Sequence, residues 1–285
     1  MAMTMCIGRI SLAAMGLLVL VAPAWADMVA FDGGDTQIGS LRGLPSERPV
    51  MQRNVAPFKL DRSPVTVEKF RAFIQDTQYQ TEAEKFGSAA VMQMTTGYWY
   101  LQEGATWDKP FGPDGNRAPA DHPVTQVSWN DANAYCAHYG KRLPTEIEWE
   151  HAARFGSEGE VAYAFGDQLV KEGTFLANVW TGVFPIINTE QDGYKFTNPV
   201  GYFGRTPAGL TDMAGNVWEW TSDWKRPYKD YDAEISVTQA SEKIQRGGSF
   251  LCDANVCHGF RVSARQSSTP DSSLMHVGFR CAADN

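Results

Sequence analysis

The sequence predicts a single mixed α+β domain with little regular secondary structure. Three short segments have the spacing and caps of helices, whereas the rest of the chain is interrupted by many of its 26 glycines and 15 prolines. Helix and strand patterns do not alternate, as they would in a doubly wound sheet or a (β/α) barrel. No repeat and no Pro/Ser-rich linker divides the 285 residues, which are enough for one large core.

The amino terminus has the pattern of a secretory signal peptide over 1–26. Arg9 precedes an apolar run over 10–21, and the sequence AWA at 24–26 matches a small-x-small cleavage site. A buried N-terminal strand is the alternative. We therefore expect a mature domain over 27–285 that is periplasmic or secreted, in a compartment that permits disulfides.

The charge balance excludes some classes of partner. The chain has 33 acidic and 25 basic side chains, which gives a formal net charge of −8. Phosphate binding needs a basic face, so we expect neither a nucleic-acid partner nor an anionic membrane surface. No apolar run after the signal peptide is long enough to span a bilayer. We expect a monomer.

The first predicted helix follows a segment over 27–60 that reads as short strands and loops. Thr66 has the residue type and position of a helix cap. After it, apolar residues recur at helical spacing: Val67, Phe70, Phe73 and Ile74. An amphipathic helix with one buried face is therefore expected here.

Two further helices are predicted in the middle of the chain. The first covers 128–139, with Ser128 as its cap and Gly140 as its stop. Cys136 lies on the apolar face of this helix, so we expect it to be structural rather than reactive. The second covers 145–154 and begins with a capping box.

The segment over 81–123 has no sustained period but is rich in aromatic residues. These are Tyr98, Trp99, Tyr100, Trp107 and Phe111. Long irregular segments in compact domains are usually functional or specially supported. The rings could line a surface groove, or each could belong to the core.

The strongest chemical candidate is a pair of cysteines, Cys252 and Cys257, after the turn Gly247-Gly248-Ser249. The glycines allow the chain to reverse direction. The spacing is too long for a CxxC redox couple, and no second pair is present to complete a zinc site. The two thiols could form a disulfide across the loop, or a two-thiolate clamp on a soft metal such as Cu(I).

The other cysteines leave the disulfide pattern open. Cys6 falls in the predicted signal peptide, and four cysteines then remain: Cys136, Cys252, Cys257 and Cys281. Four cysteines allow three pairings. No HExxH, GxSxG, P-loop or dinucleotide motif occurs elsewhere in the sequence.

Two loops have the residue types of calcium sites. One combines 178–180 with 189–194, and the other covers 212–219. Hard cations take carboxylate, amide and backbone carbonyl oxygens, and glycine lets the backbone turn its carbonyls inward. Ordinary Asp-Gly turns are the alternative.

Seven short motifs follow one another along nearly the whole predicted mature chain. They are DHPV at 121–124, VSWNDA at 127–132, GKRLPTEIEWE at 140–150, GNVWEW at 215–220, RGGS at 246–249, TPDSS at 269–273 and GFRC at 278–281. In content and order these motifs resemble the formylglycine-generating enzyme (sulfatase-modifying factor) family. The resemblance implies a C-type-lectin-like mixed α+β fold with bound calcium.

The resemblance also implies an oxygen-dependent oxidase acting on a peptide. Cys252 and Cys257 would bind Cu(I), with Cys257 able to exchange onto the substrate thiol. A cysteine in a sulfatase-type Cys-x-Pro-x-Arg peptide would lose a β-hydrogen and become the aldehyde Cα-formylglycine. Ser249 would give polar support to the pocket, and Trp218 would form its wall. Two soft thiolates suit a cuprous ion of low coordination number.

The same resemblance implies two calcium ions and one disulfide. The ligands of the first ion would be Asn178, Val179, Asp192 and Tyr194. The ligands of the second would be Asp212, Gly215, Val217 and Glu219. Four of these would act through backbone carbonyls: Val179, Tyr194, Gly215 and Val217. Cys136 and Cys281 would form the disulfide.

The sequence departs from the animal members of the family at several positions. Ala153 and Val262 stand where a second disulfide would be, and Asp253, Val256 and His276 differ around the peptide groove. With the signal peptide, these changes suggest an alternative, a periplasmic oxidase that completes the chromophore of the peptide siderophore pyoverdine. A third hypothesis is a non-catalytic lectin-like binding module.

Overall fold

The computed structural model describes residues 27–156 and 159–285, and within these ranges the fold is mixed α+β with short elements. The predicted fold class is confirmed. The predicted signal peptide lies outside the described residues. Within the same two ranges, no helix is long and apolar enough to cross a membrane.

All three predicted helices are confirmed, and each begins at its predicted cap. The described residues form four α-helices, of which the second was not predicted: α1 (Val67–Thr77), α2 (Glu82–Phe86), α3 (Trp129–His138) and α4 (Glu146–Arg154). The hydroxyls of Thr66, Ser128 and Thr145 each accept a hydrogen bond from the backbone N–H three residues later, at 3.1–3.3 Å. These bonds satisfy donors that a helix start leaves free.

The strands form two larger sheets and four two-stranded hairpins in the described part of the chain. In chain order, β1 to β15 are Met28–Phe31, Gly34–Ile38, Met51–Val55, Phe58–Asp61, Ser88–Met92, Trp99–Glu103, Val170–Lys171, Thr174–Phe175, Gly182–Val183, Ile187–Asn188, Trp218–Trp224, Lys243–Arg246, Gln266–Ser268, Val277–Gly278 and Ala282–Asp284. One sheet has the order β1-β4-β15 and joins both ends of the described chain. The other has the order β13-β12-β11-β14.

The four-stranded sheet positions the two cysteines of the candidate site. β11 and β12 are antiparallel, with Glu219 opposite Arg246, and β14 runs parallel to β11, with Val277 beside Trp218. The segment over 247–261, called the thiol loop below, leaves the end of β12. The site is therefore supported by a central sheet rather than by a free surface loop.

The segment over 81–123 contains more regular structure than the sequence predicts. Thr81 and Glu84 form a capping box for α2, and β5 and β6 form an antiparallel hairpin. The helix has only five residues, which is too short to show a helical period. The capping box was the signal that could have identified it.

The aromatic residues of this segment divide between surface and core. Tyr98, Trp99 and Tyr100 are exposed on the β5–β6 hairpin, whereas Trp107 is buried in the main core. Phe111 is half-buried against Phe196. Neither predicted alternative therefore describes all five rings.

A disulfide joins Cys136 of α3 to Cys281 near the carboxyl end, as the family resemblance implied. It encloses a chain separation of 145 residues. In the chain-entropy model, closing a loop of this length contributes roughly 4–5 kcal/mol. Ala153 and Val262 are both buried in one apolar cluster, so packing occupies the place of a second bridge.

A buried arginine connects α4 to both limbs of the thiol loop. The Arg246 guanidinium forms salt bridges with Glu146 and Glu150, and all three side chains are fully buried. It also donates to the carbonyls of Val262 (2.7 Å) and Ser263 (3.1 Å), just after the loop returns. One side chain therefore fixes the separation between the start and the end of the loop.

We predict that Arg246→Met lowers the free energy of unfolding by about 3–5 kcal/mol, because it leaves buried acidic groups short of a cation. Chemical denaturation measures the change. The matched control is Lys225→Met, which removes an exposed ion pair with Glu242 and should cost under about 1 kcal/mol. Equal losses in the two variants would show that Arg246 does not hold the fold together.

Candidate thiol site and calcium loops

The thiol loop begins with two glycines in the left-handed region. Gly247 has φ 94° and Gly248 has φ 72°. A Cβ on Gly248 would lie 2.5 Å from the backbone nitrogen of Phe260, on the returning limb. The close approach of the two limbs and the positive φ both require glycine here.

The loop brings Cys252 and Cys257 together as free thiols. Cys252 is buried and Cys257 is half-buried, and the two thiols are close enough to influence each other's pKa. Backbone N–H groups donate to each sulfur, from Ser249 to Cys252 and from Gly259 to Cys257, both at 3.4 Å. Within the described residues these are the two cysteines outside a disulfide.

The two thiols differ in acidity because their surroundings differ. Burial raises the pKa of Cys252 well above its usual value. The hydrogen bond from Cys252 lowers the pKa of Cys257, and the Gly259 N–H adds to this effect. The pair therefore loses its first proton from Cys257, the more accessible sulfur.

Trp218 and Gly259 shape the space beside the buried thiol. A Cβ on Gly259 would lie 2.5 Å from Cζ2 of Trp218 and 2.7 Å from Sγ of Cys252. Trp218 therefore lies beside Cys252, across the space that a side chain at Gly259 would fill. Gly259 was not identified from the sequence, because a single glycine after Cys-His carries no distinctive signal.

Ser249 lies beside the buried thiol. Its side chain is fully buried, with Oγ accepting from the Leu251 N–H at 3.2 Å and lying 4.0 Å from Sγ of Cys252. The structure therefore brings Ser249, Trp218 and both cysteines into one site.

The three residues that depart from the animal enzymes have different environments. Asp253 is buried and accepts a hydrogen bond from the Asn255 N–H (2.7 Å), whereas Val256 is exposed. His276 is buried with its ring centroid 5.0 Å from that of Trp99, and its Nδ1 has no hydrogen-bond partner. Burial lowers the pKa of His276 to about 3, so this imidazole is neutral at pH 7.

Asn178, in the first predicted calcium set, has an unsatisfied oxygen. Its Nδ2 donates to the Phe196 carbonyl and to Asn198 Oδ1, both at 2.8 Å. Two acceptors on this side fix the amide orientation and direct Oδ1 the other way. Oδ1 is buried and has no partner. Such an oxygen is costly unless a donor or a cation meets it.

Asp192 joins the same set from the neighbouring loop. Its carboxylate accepts hydrogen bonds from the backbone N–H groups of Val179 (2.9 Å) and Tyr194 (3.2 Å). It is buried, burial raises its pKa, and no salt bridge to it occurs in the described ranges. The structure thus brings Val179 and Tyr194 to the Asp192 carboxylate through their N–H groups, with Asn178 next to Val179 in the chain.

The second predicted calcium set lies where the chain enters β11. It differs from the first set because one of its carboxylates, that of Glu219, pairs with an arginine. Glu219 is fully buried, and Arg280 donates two hydrogen bonds to it at 2.6 and 2.7 Å. Trp149 Nε1 adds a third at 2.7 Å. Both carboxylate oxygens of Asp212 accept hydrogen bonds from neighbouring residues. Arg280 already balances the charge of Glu219, whereas Asp212 forms no salt bridge in the described ranges.

Across 27–156 and 159–285, no group of three or more His, Cys, Asp or Glu side chains is arranged to hold a metal ion. The cysteine pair is a two-sulfur site, and the first calcium set combines one carboxylate with amide and backbone oxygens. These donor sets suit different ions, because soft sulfur favours Cu(I) and hard oxygen favours Ca²⁺.

Comparisons with known proteins agree with this architecture. The family described as "Sulfatase-modifying factor enzyme 1-like domain" matches residues 21–285. A formylglycine-generating enzyme of Streptomyces coelicolor is 41% identical over 281 residues, which covers 90% of this chain and 88% of that protein. A bovine protein named inactive Cα-formylglycine-generating enzyme 2 is 40% identical over 278 residues, covering 90% of this chain and 88% of that protein.

A solved structure extends the likeness to the backbone. The structure of PvdO from Pseudomonas aeruginosa aligns with a TM-score of 0.68, covering 90% of this chain and 94% of that one. Its sequence identity is 24%, so the alignment is a statement about fold. The family match and the identities above are independent of it, and they show that this chain belongs to the sulfatase-modifying factor family of formylglycine-generating enzymes.

Proposed function

We propose that this protein is an exported oxidase that converts a peptide cysteine into Cα-formylglycine at a Cu(I) site formed by Cys252 and Cys257. The observation that carries the proposal is the meeting of two free thiols of unequal acidity in one loop. The names of the similar formylglycine-generating enzymes support it. A relative named inactive has 40% identity, so family membership alone does not establish activity.

The residues present fit a cuprous ion. Two sulfurs are close enough to share a hydrogen bond, and no side chain at Gly259 fills the space beside Cys252. A bound Cu(I) would supply a soft centre at which dioxygen is activated. The protein would contribute the Cys257 thiolate, which Cys252 and the Gly259 N–H stabilise, and the indole wall of Trp218, which restricts water.

The electron balance of the reaction defines the assay. Converting a thiol carbon to an aldehyde with release of sulfide removes two electrons and two protons and adds one water. Reduction of one dioxygen to two waters takes four electrons and four protons. A thiol reductant must therefore supply the other two electrons and two protons, and the assay contains one.

The first calcium set is the second part of the proposal. Asn178 Oδ1 and the Asp192 carboxylate would bind Ca²⁺, with the Val179 and Tyr194 carbonyls completing the set. The ion would join two loops that contain no regular element at this point. The second set, with Arg280 on Glu219, lacks this support, so that ion stays a prediction from the family resemblance.

The proposals for export, for the substrate and for the oligomeric state come from the sequence analysis. The Cys136–Cys281 disulfide suits an oxidising compartment and so supports a periplasmic or secreted location, whereas the monomeric state stays a prediction. The siderophore-maturing alternative stays a prediction, because the likeness to PvdO concerns the fold. The binding-module hypothesis is less favoured, because a module of that kind has no need for two free thiols in one loop.

We predict that the reduced protein binds one Cu(I) and, with air and a thiol reductant, converts a Cys-x-Pro-x-Arg peptide to the aldehyde. Cys252→Ser and Cys257→Ser should each lose both properties, since one sulfur cannot form a two-donor site. Competition against a Cu(I) chelator and mass spectrometry of the peptide measure them.

Asn255→Ala is the matched control, because Asn255 lies exposed between the two cysteines. It should retain copper and turnover. Tight copper binding without aldehyde would reject the sulfatase-type peptide as substrate. Absence of tight copper binding in the wild type would reject the oxidase itself.

We predict that iodoacetamide alkylates Cys257 with a pH midpoint below the ordinary thiol value of about 8.5. A lowered pKa means that the thiolate forms at lower pH. Cys252→Ala removes the stabilising hydrogen bond, so the midpoint should rise and the rate at pH 7 should fall. Peptide mapping gives the rates, and protein in urea gives the reference. An unchanged midpoint in Cys252→Ala would contradict the shared hydrogen bond.

We predict that Ca²⁺ added to chelator-treated protein raises its melting temperature. The stabilisation is about 2.7 kcal/mol when the free ion is 100 times its Kd. Asp192→Asn should abolish the rise, because it removes the buried carboxylate. Asp114→Asn, a change at an exposed position, should keep it. A full rise in Asp192→Asn would exclude the first set as the binding site.

A further inference from the structure

A cavity of about 360 Å³ lies beside the thiol loop. Its walls come from the segment over 110–125, from 193–197 next to the first calcium set, and from Phe250 and Met275. Phe250 precedes Cys252 by two residues, so one wall of the cavity belongs to the thiol loop itself. The family motifs did not predict this feature.

Three phenylalanine rings give the cavity its character. The centroids of Phe111 and Phe196 are 4.5 Å apart, and Phe196 meets Phe250 edge to face at 6.0 Å. Aromatic rings in this arrangement favour a further aromatic ring through offset or edge contacts. The volume is near the lower end of the range for small-molecule pockets, which suits one ring with a short substituent.

The charged residues at the cavity are all basic. Arg117 and Lys195 line it, and none of the described residues that line it is Asp or Glu. Arg117 forms a salt bridge with Asp108 at 2.7 Å, so its positive charge is partly balanced. Lys195 is exposed and forms no salt bridge in the described structure, and its Nζ lies 5.7 Å from the Phe196 centroid. An anion bound at the rim would meet an uncompensated cation.

We infer that this cavity binds an aromatic group that carries a carboxylate. The rings of Phe111, Phe196 and Phe250 would hold the aromatic part, and Lys195 would attract the anion. Because Phe250 and Cys252 share one loop, the bound aromatic group would be part of the substrate that carries the reacting cysteine. This assignment rests on the proposed function. A cationic side chain, such as the arginine of a sulfatase motif, would be disfavoured in this cavity.

The test compares two probes that share a ring and differ in charge, 3-(4-hydroxyphenyl)propionate and tyramine. Calorimetry on the whole protein should show the propionate binding about tenfold tighter, as expected from one attractive and one repulsive exposed charge contact. Lys195→Ala should weaken the propionate about two- to fivefold. Lys171→Ala, a change at an exposed lysine on β7, should leave it unchanged.

Two further variants locate the site. Ala118→Trp fills the cavity from its wall and should abolish binding, with circular dichroism confirming the fold. The double variant Cys252→Ser, Cys257→Ser should still bind the propionate, so binding and thiol chemistry can fail separately. The inference would be overturned if the two probes bound with equal affinity, or if neither bound at millimolar concentration. It would also be overturned if Lys195→Ala, or a folded Ala118→Trp, bound the propionate as tightly as the wild type does.

Discussion

One buried guanidinium holds the parts of the fold that meet at the thiol loop. Arg246 ends β12 and contacts Glu146 and Glu150 of α4, while it also bonds the carbonyls at 262–263 beyond the loop. In a low-dielectric interior each of these charges depends on the others, because an unpaired one costs several kcal/mol. The salt bridges and hydrogen bonds of Arg246 therefore fix the two ends of the thiol loop. The residues between these ends can then place backbone N–H groups and the two sulfurs in one site.

This arrangement separates the roles of the two sulfurs. Cys252 is buried beside Trp218 and Ser249, and its raised pKa keeps it protonated. Cys257 lies nearer the solvent, where a thiolate is better tolerated, and its pKa is lowered. Neither of these pKa shifts is intrinsic to cysteine. They arise because the loop buries Cys252 and places Cys252 and the Gly259 N–H beside Cys257.

Local signals in the sequence predicted the parts of the fold that local chemistry determines. The helices that begin at Thr66, Ser128 and Thr145 were found because caps and apolar spacing act over a few residues. The cysteine pair and the two calcium-type loops were identified from residue types and spacing, whereas the disulfide pairing and the individual ligands came from resemblance to a family. The burial of Arg246 could not be predicted, because its acidic partners are 96 and 100 positions away. The aromatic cavity was missed for the same reason, since its three rings come from separate segments.

The last strand of the described chain has a consequence for folding. Residues 278–284 supply β15 beside β4, the partner sulfur for Cys136, and the Arg280 that balances Glu219. The sheet, the covalent bridge and the neutralisation of a buried acid thus all depend on this one short segment. The domain therefore cannot complete its native contacts until residues 278–284 reach β4 and α3, so the ordering of this segment is coupled to the folding of the rest.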